Sequence, residues 1–172
     1  AEDGIRDYKV TGVQTCALPI CSPMEDAGVL ALRQLERLLF RAWCAWLCTP
    51  GLGAAEELRA QTTFERFAFE FSAALSKQPE PFLLGRSVAE GPGTADLVFI
   101  PYVERMSASL AYYKGYLLRQ RYPAIDRWLV ALEQRDTYLG CQSDFHTHAH
   151  DLPPQMGGCY ASGTVAQHQM AQ

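Results

Sequence analysis

The sequence predicts an all-α bundle, and three observations lead there. Apolar residues recur at three- and four-residue spacings through four separate stretches, the period of a single buried helix face. No stretch alternates apolar and polar residues convincingly, so no half-buried strand is indicated. Proline and glycine clusters stand between the periodic stretches, where helices must stop.

The first helix is expected from Glu25 to Cys48, with Leu32, Leu35, Leu39, Ala42, Trp43 and Trp46 on its buried face. Arg33, Glu36, Arg37 and Arg41 fall mostly on other faces, and Pro50-Gly51 with Gly53 end the helix. A second helix follows from Ala54 to Lys77, burying Leu58, Phe64, Phe67, Ala68, Phe71 and Leu75. Pro79 and Pro81 stop it, since proline lacks a backbone donor and disfavours helix in the residue before it. Phe82 to Leu84 is a short apolar connector, and Gly85 to Gly93 is a loop. The third helix begins near Thr94, with Phe99, Val103, Met106, Leu110 and Tyr113 in register and a kink expected at Pro101. Pro123 suits the first turn of a fourth helix whose buried face is Ile125, Trp128, Leu129 and Leu132. The period ends after Tyr138.

The chain has 172 residues, enough for one domain that buries most of its apolar surface, and a formal net charge of -4. That acidic balance argues against nucleic acid as a partner, which calls for a basic stripe. No apolar run is long enough to span a bilayer, so no membrane partner is expected either. The six cysteines are irregularly spaced and read as reduced thiols in an intracellular setting. Cys44 and Cys48 share one helix face, where free cysteine packs as a small hydrophobe. The charged runs Glu104-Arg105 and Arg119 to Arg121 read as solvated faces or helix ends.

The segment Val10–Ile20 resembles the in-frame translation of a short-read sequencing adapter, and Ala1–Asp7 resembles its other arm. Tyr8-Lys9 fall where an index would lie, and Cys21 reads as a codon formed at the seam. Residues 1–21 are therefore expected to be non-native and to stand outside the fold. The expected consequence is that the natural N-terminus, with any targeting peptide, is missing. The rest divides into a helical domain over 22–140, a His-rich irregular tail over 141–160 and a disordered end over 161–172.

The strings "EPFLLG", "GTADLVFIPYVERM" and "RYPAIDRWLVALEQRDTY" resemble the C-terminal helical domain of the glutathione S-transferase superfamily. The resemblance covers roughly Met24 to Tyr138. In that family a Ser or Thr caps the third helix of this domain and an Asp at its third position closes the capping box. Here Asp96 holds that position and Gly93 the cap, so the box is reduced to Asp96 and its interaction with the helix dipole, unless Thr94 shifts the cap by one residue. The tail, "YYKGYLLRQRYP" with "YLGCQSDFHTHAHDLPPQMGGCY", is similar to a plant, algal and cyanobacterial subgroup. That similarity implies a plastid location, with the cytoplasm as the alternative.

The resemblance further implies that glutathione is the co-substrate, bound by a thioredoxin-like N-terminal domain that this sequence lacks. The catalytic group belongs to that domain and has no counterpart here. The helical domain contributes one wall of the site for a small electrophile or disulfide, and a homodimer is left open. Trp43, Tyr102 and Tyr113 are the candidates for that wall, with Trp46 and Met106 beside them, although core packing is the ordinary role for each. Tyr102 is the first choice because it lies off the Phe99–Val103–Met106 seam. The fragment alone is expected to be inactive. The rival reading is a non-catalytic interaction or scaffold domain of the same fold.

One further cluster is legible. His146, His148 and His150 would point three imidazoles to one side of an extended strand, a geometry that could ligate zinc, with Asp144 and Asp151 nearby. Against it, the Cys and His spacing fits no structural zinc motif. The plainer reading is a polar tail docked across the bundle, and no metal site is assigned.

Overall fold

The computed structural model describes residues 26–161, and among them the chain is all-helical with no strand. Residues 1–21, expected to be adapter-derived, lie outside the described residues, Cys21 included, and so does the end expected to be disordered over 161–172, apart from Ala161. Helix α1 spans Ala27–Leu47, α2 Ala54–Ser76 and α3 Thr94–Lys114. The short α4 (Leu118–Arg121) leads into α5 (Pro123–Glu133), followed by α6 (Asp136–Leu139), α7 (Phe145–His150) and α8 (Leu152–Met156). Helix α3 is the centre of the bundle, packed against α1 on one side and α7 on another, while α2 lies against α1 and α5.

Each long helix is started by its own side chains. Asp26 accepts hydrogen bonds from the Gly28 and Val29 amides at 2.8 and 3.2 Å and caps α1. Glu56 reaches back to the Gly53 amide at 3.0 Å to begin α2. Pro123 opens α5 at the first turn, where its missing donor costs nothing. Helix α3 ends in a left-handed Gly115 (φ 60°), with the Tyr116 amide donating to Leu110 and the Gly115 amide to Ala111. This is the glycine C-cap that turns the chain sharply towards α4. The third helix runs through Pro101 as one element, and the carbonyl deprived of its donor belongs to the half-exposed Leu97.

The core is aromatic at both ends. At one end Phe71 and Phe99 stack at 4.2 Å with Trp128 edge-on to Phe71 at 5.5 Å. At the other, Trp46, Phe64 and Tyr116 meet with centroids 5.2 to 5.9 Å apart.

Three expectations are corrected. Leu58 is 63% exposed, because the inward position of that turn is taken by Glu57, which bonds to Lys114 and Trp46. Glu36 is buried rather than solvated, and its carboxylate is paired with the adjacent Arg37. The tail over 141–160 is not irregular but carries α7 and α8. Asp144 caps α7 by accepting from the Thr147 amide at 2.7 Å, and Leu152-Pro153-Pro154 start α8. The tail is docked: Ala149 and Leu152 are buried, and the Tyr160 amide donates to the Leu47 carbonyl at 2.9 Å.

Candidate functional site

Asp96 ties three elements of the fold together. It is fully buried and accepts three hydrogen bonds: from the Gly93 amide at 2.8 Å, the Leu83 amide at 3.0 Å and the Trp128 indole at 2.8 Å. One carboxylate thus starts α3, anchors the connector after α2 and clamps α5. Burial holds its carboxyl above the usual carboxylate range, and the three donors pull the other way. The cap is at Gly93, with Thr94 already in the first turn. A glycine stands there for a steric reason, since a Cβ at Gly93 would come within 2.7 Å of the Arg86 side chain. Arg86 lies across the cap because it is held to the Gly91 and Glu90 carbonyls at 2.9 and 3.0 Å. The connector itself is strained at Leu84, a half-exposed residue at φ 60°.

Of the three aromatics proposed for a ligand wall, two come together. Phe40 lies between them, edge-on to Trp43 at 5.6 Å and to Tyr102 at 5.1 Å. The Arg37 guanidinium sits 4.8 Å from the Phe40 centroid and 4.9 Å from that of Tyr102. Glu36, hydrogen-bonded to it, keeps Arg37 firmly charged. Phe40 and Tyr102 are half-buried and Arg37 is exposed, so this patch meets solvent. Trp43 does not: it is 1% exposed and its indole donates to Ser109 Oγ at 3.1 Å, supporting the patch from beneath. Tyr113 stands apart. Its hydroxyl donates to the Ala149 carbonyl at 2.8 Å and so holds the tail. Arg37 and Phe40 escaped the sequence reading because they belong with Tyr102 only through the register of α1 on α3, which no local pattern encodes.

The histidine segment is a helix, not a strand, and this changes which residues share a side. His146 and His150, four apart, face one another with centroids 4.1 Å apart and remain exposed. His148 turns the other way and is buried against α3. Among the described residues, no group of three or more His, Cys, Asp or Glu side chains could hold a metal ion. The expected triad of imidazoles on one side of a strand is corrected accordingly.

Cys44, Cys48, Cys141 and Cys159 are free thiols. Burial pushes Cys44 up to about 11 and Cys159 up to about 12 and also raises Cys48, which shares a hydrogen bond with Cys159. Cys141 is exposed. Timed alkylation near neutral pH with peptide mass mapping should therefore label exposed Cys141 first among these four, with the thiolate fraction of Cys44 lowered roughly 100-fold from that of an ordinary thiol by its raised pKa. Equal rates at the two sites would contradict the packing described for α1.

No family model matches the chain, and no curated protein matches it. No described helix is long and apolar enough to cross a membrane.

Proposed function

We propose that the domain over residues 22–140 is the helical half of a glutathione transferase-like protein, in which Arg37, Phe40 and Tyr102 form part of the wall that receives a small electrophile. Glutathione and the group that activates its thiol belong, on this reading, to a thioredoxin-like domain outside this chain, and the plastid location goes with the same resemblance. The observation that carries the reading is the solvent-facing patch itself: two aromatic rings and a guanidinium on adjacent helices, backed by buried Trp43. Polarisable aromatic surface beside one cation suits an electron-poor aromatic substrate. Asp96 supports the reading in a second way, because a buried N3 carboxylate is the feature the sequence resemblance rests on.

The test has two parts. The chain with glutathione and 1-chloro-2,4-dinitrobenzene should give no conjugation above the uncatalysed rate, and measurable turnover would overturn the assignment of catalysis to another domain. A dinitrophenyl probe should quench tryptophan fluorescence, and Tyr102→Ala should weaken its binding by roughly fivefold, the value of one aromatic contact. Binding unchanged by Tyr102→Ala would remove the patch from the site.

The scaffold alternative is favoured by a different surface. A groove of about 690 Å³ between the start of α1 and the end of α2 is lined by Leu32, Leu35, Phe69 and Leu84. Phe69 and Leu84 are 66% and 49% exposed. Failure of the dinitrophenyl probe to bind at all would favour that reading over the electrophile wall.

A further inference from the structure

On α3, away from the Tyr102 patch, a cleft of about 480 Å³ opens between α3, the α4–α5 segment and α7. That volume fits a small organic molecule. Its apolar lining includes Ala108, Leu129 and Phe145, and its polar lining includes Glu104, Arg119, Glu133 and His148. The charges do not balance. Arg119 is already engaged, with Nε on Asp126 at 2.6 Å and both terminal nitrogens on Glu133 at 2.6 and 3.1 Å. One guanidinium therefore serves two carboxylates. Glu104 is a third, and its hydrogen bond comes from the Tyr138 hydroxyl rather than from a cation.

His148 supplies an independent observation. It is 9% exposed, it lines this cleft, and its Nε2 has no hydrogen-bond partner. A buried imidazole nitrogen left unpaired is costly, and such groups in native folds call for an explanation. Burial also holds His148 below its usual range, against Glu104 and Asp144 and together with Arg105, so the ring stays neutral and leaves the carboxylate excess in place. Arg105 does not line the cleft. It belongs, with Thr147 and Asp151, to a separate pocket of about 60 Å³ on which His148 also borders.

We propose that this cleft binds a small organic cation, a primary amine or amidinium on an apolar body, with Glu104 receiving the charged head and Phe145, Leu129 and the neutral His148 ring flanking the body. The inference does not rest on the glutathione transferase reading: it uses a different side of α3 and no residue of the aromatic patch. A cationic head gains both the unbalanced carboxylate and the low local dielectric, whereas an anion of equal size meets the Glu104 and Glu133 carboxylates and an Arg119 whose charge they already offset.

The test is calorimetric titration of the full chain with phenethylamine, 2-phenylethanol and 3-phenylpropionate, three probes of similar size and different charge. Phenethylamine is expected to bind with a Kd of about 0.1–1 mM and the carboxylate at least about tenfold more weakly. Glu104→Gln keeps an acceptor for Tyr138 and should cost the amine about tenfold while leaving 2-phenylethanol unchanged. As a second readout that does not depend on a variant folding, phenethylamine should shift the His148 ring proton resonances in the unmutated chain. No amine binding up to about 5 mM, equal affinity for amine and carboxylate, or no response to Glu104→Gln would each overturn the proposal.

Discussion

Asp96→Ala is expected to lower the unfolding free energy by about 4 kcal/mol, the largest loss of any single polar side chain in this fold. Three donors, the Gly93 and Leu83 amides and the Trp128 indole, are all buried where they meet this carboxylate. Alanine removes every acceptor and admits no water to replace them, so each donor is left desolvated at about 1–3 kcal/mol. Against that stands the relief of no longer burying a charge, which keeps the total below the sum of three full penalties. Urea unfolding followed by tryptophan fluorescence would read the effect directly, since Trp128 is one of the three partners. Asp96→Asn should lose about half as much, because its oxygen can still accept from Leu83 and Trp128 while its amide opposes the Gly93 donor. A loss under about 1 kcal/mol for Asp96→Ala would mean that the cost of burying the charge nearly cancels its three bonds.

The pH dependence of that loss has a definite sign. Burial raises the Asp96 carboxyl in the folded chain above its unfolded value. Below the unfolded value its contribution is fully present, and it declines as pH rises through the folded one. The gap between the unmutated chain and Asp96→Ala should therefore widen as pH falls through the folded value towards the unfolded one, the reverse of an ordinary salt-bridged carboxylate.

Asp96 also marks how far the sequence can be read. Its place in the first turn of α3, and its bond to the Gly93 amide, follow from local spacing and the chemistry of helix starts. Its bonds to Leu83 and Trp128 do not, because they cross from one element to another and depend on how helices stack. The same division runs through the fold. Helices α1, α2 and α3 were legible because twenty or so residues of apolar period average over local exceptions, and the 11-residue α5 because Pro123 marks its start and its apolar face is unbroken. The exceptions were the charges that turn inward: Glu36 and Glu57 occupy core-facing positions that periodicity alone gives to water or to Leu58. Helices of six and five residues, such as α7 and α8, are too short to show a period at all. Within α7 the two-residue spacing of the histidines invites a strand, whereas the Asp144 cap decides for a helix. For the aromatic patch, Tyr102 was legible as a residue off its own seam. Its partners were not, since Arg37 and Phe40 reach it from another helix.

Lys114→Met should destabilise the chain by about 2–3 kcal/mol, although methionine is close to lysine in volume and apolar enough for the site. The Lys114 side chain is 1% exposed and its Nζ lies 3.1 Å from one Glu57 oxygen and 3.3 Å from the other. Glu57 is in the first turn of α2 and Lys114 in the last turn of α3, so each also sits at the end of its helix that favours its charge. Removing the ammonium leaves Glu57 with the Trp46 indole as a donor but without the charge that offset its partial burial. The cost falls short of that for a fully buried pair because the Glu57 side chain keeps 19% of its exposure. Two further variants turn this into a measurement of the pair rather than of a residue. Glu57→Gln alone strands the ammonium in a nearly dry site and should cost at least as much as Lys114→Met. The double variant, with a neutral amide facing a thioether, should recover about half of the summed loss, a coupling of about 2 kcal/mol in the cycle. A coupling below about 0.5 kcal/mol would show that Lys114 is held by its packing on Trp46, whose ring centroid lies 6.0 Å from the ammonium, and not by Glu57.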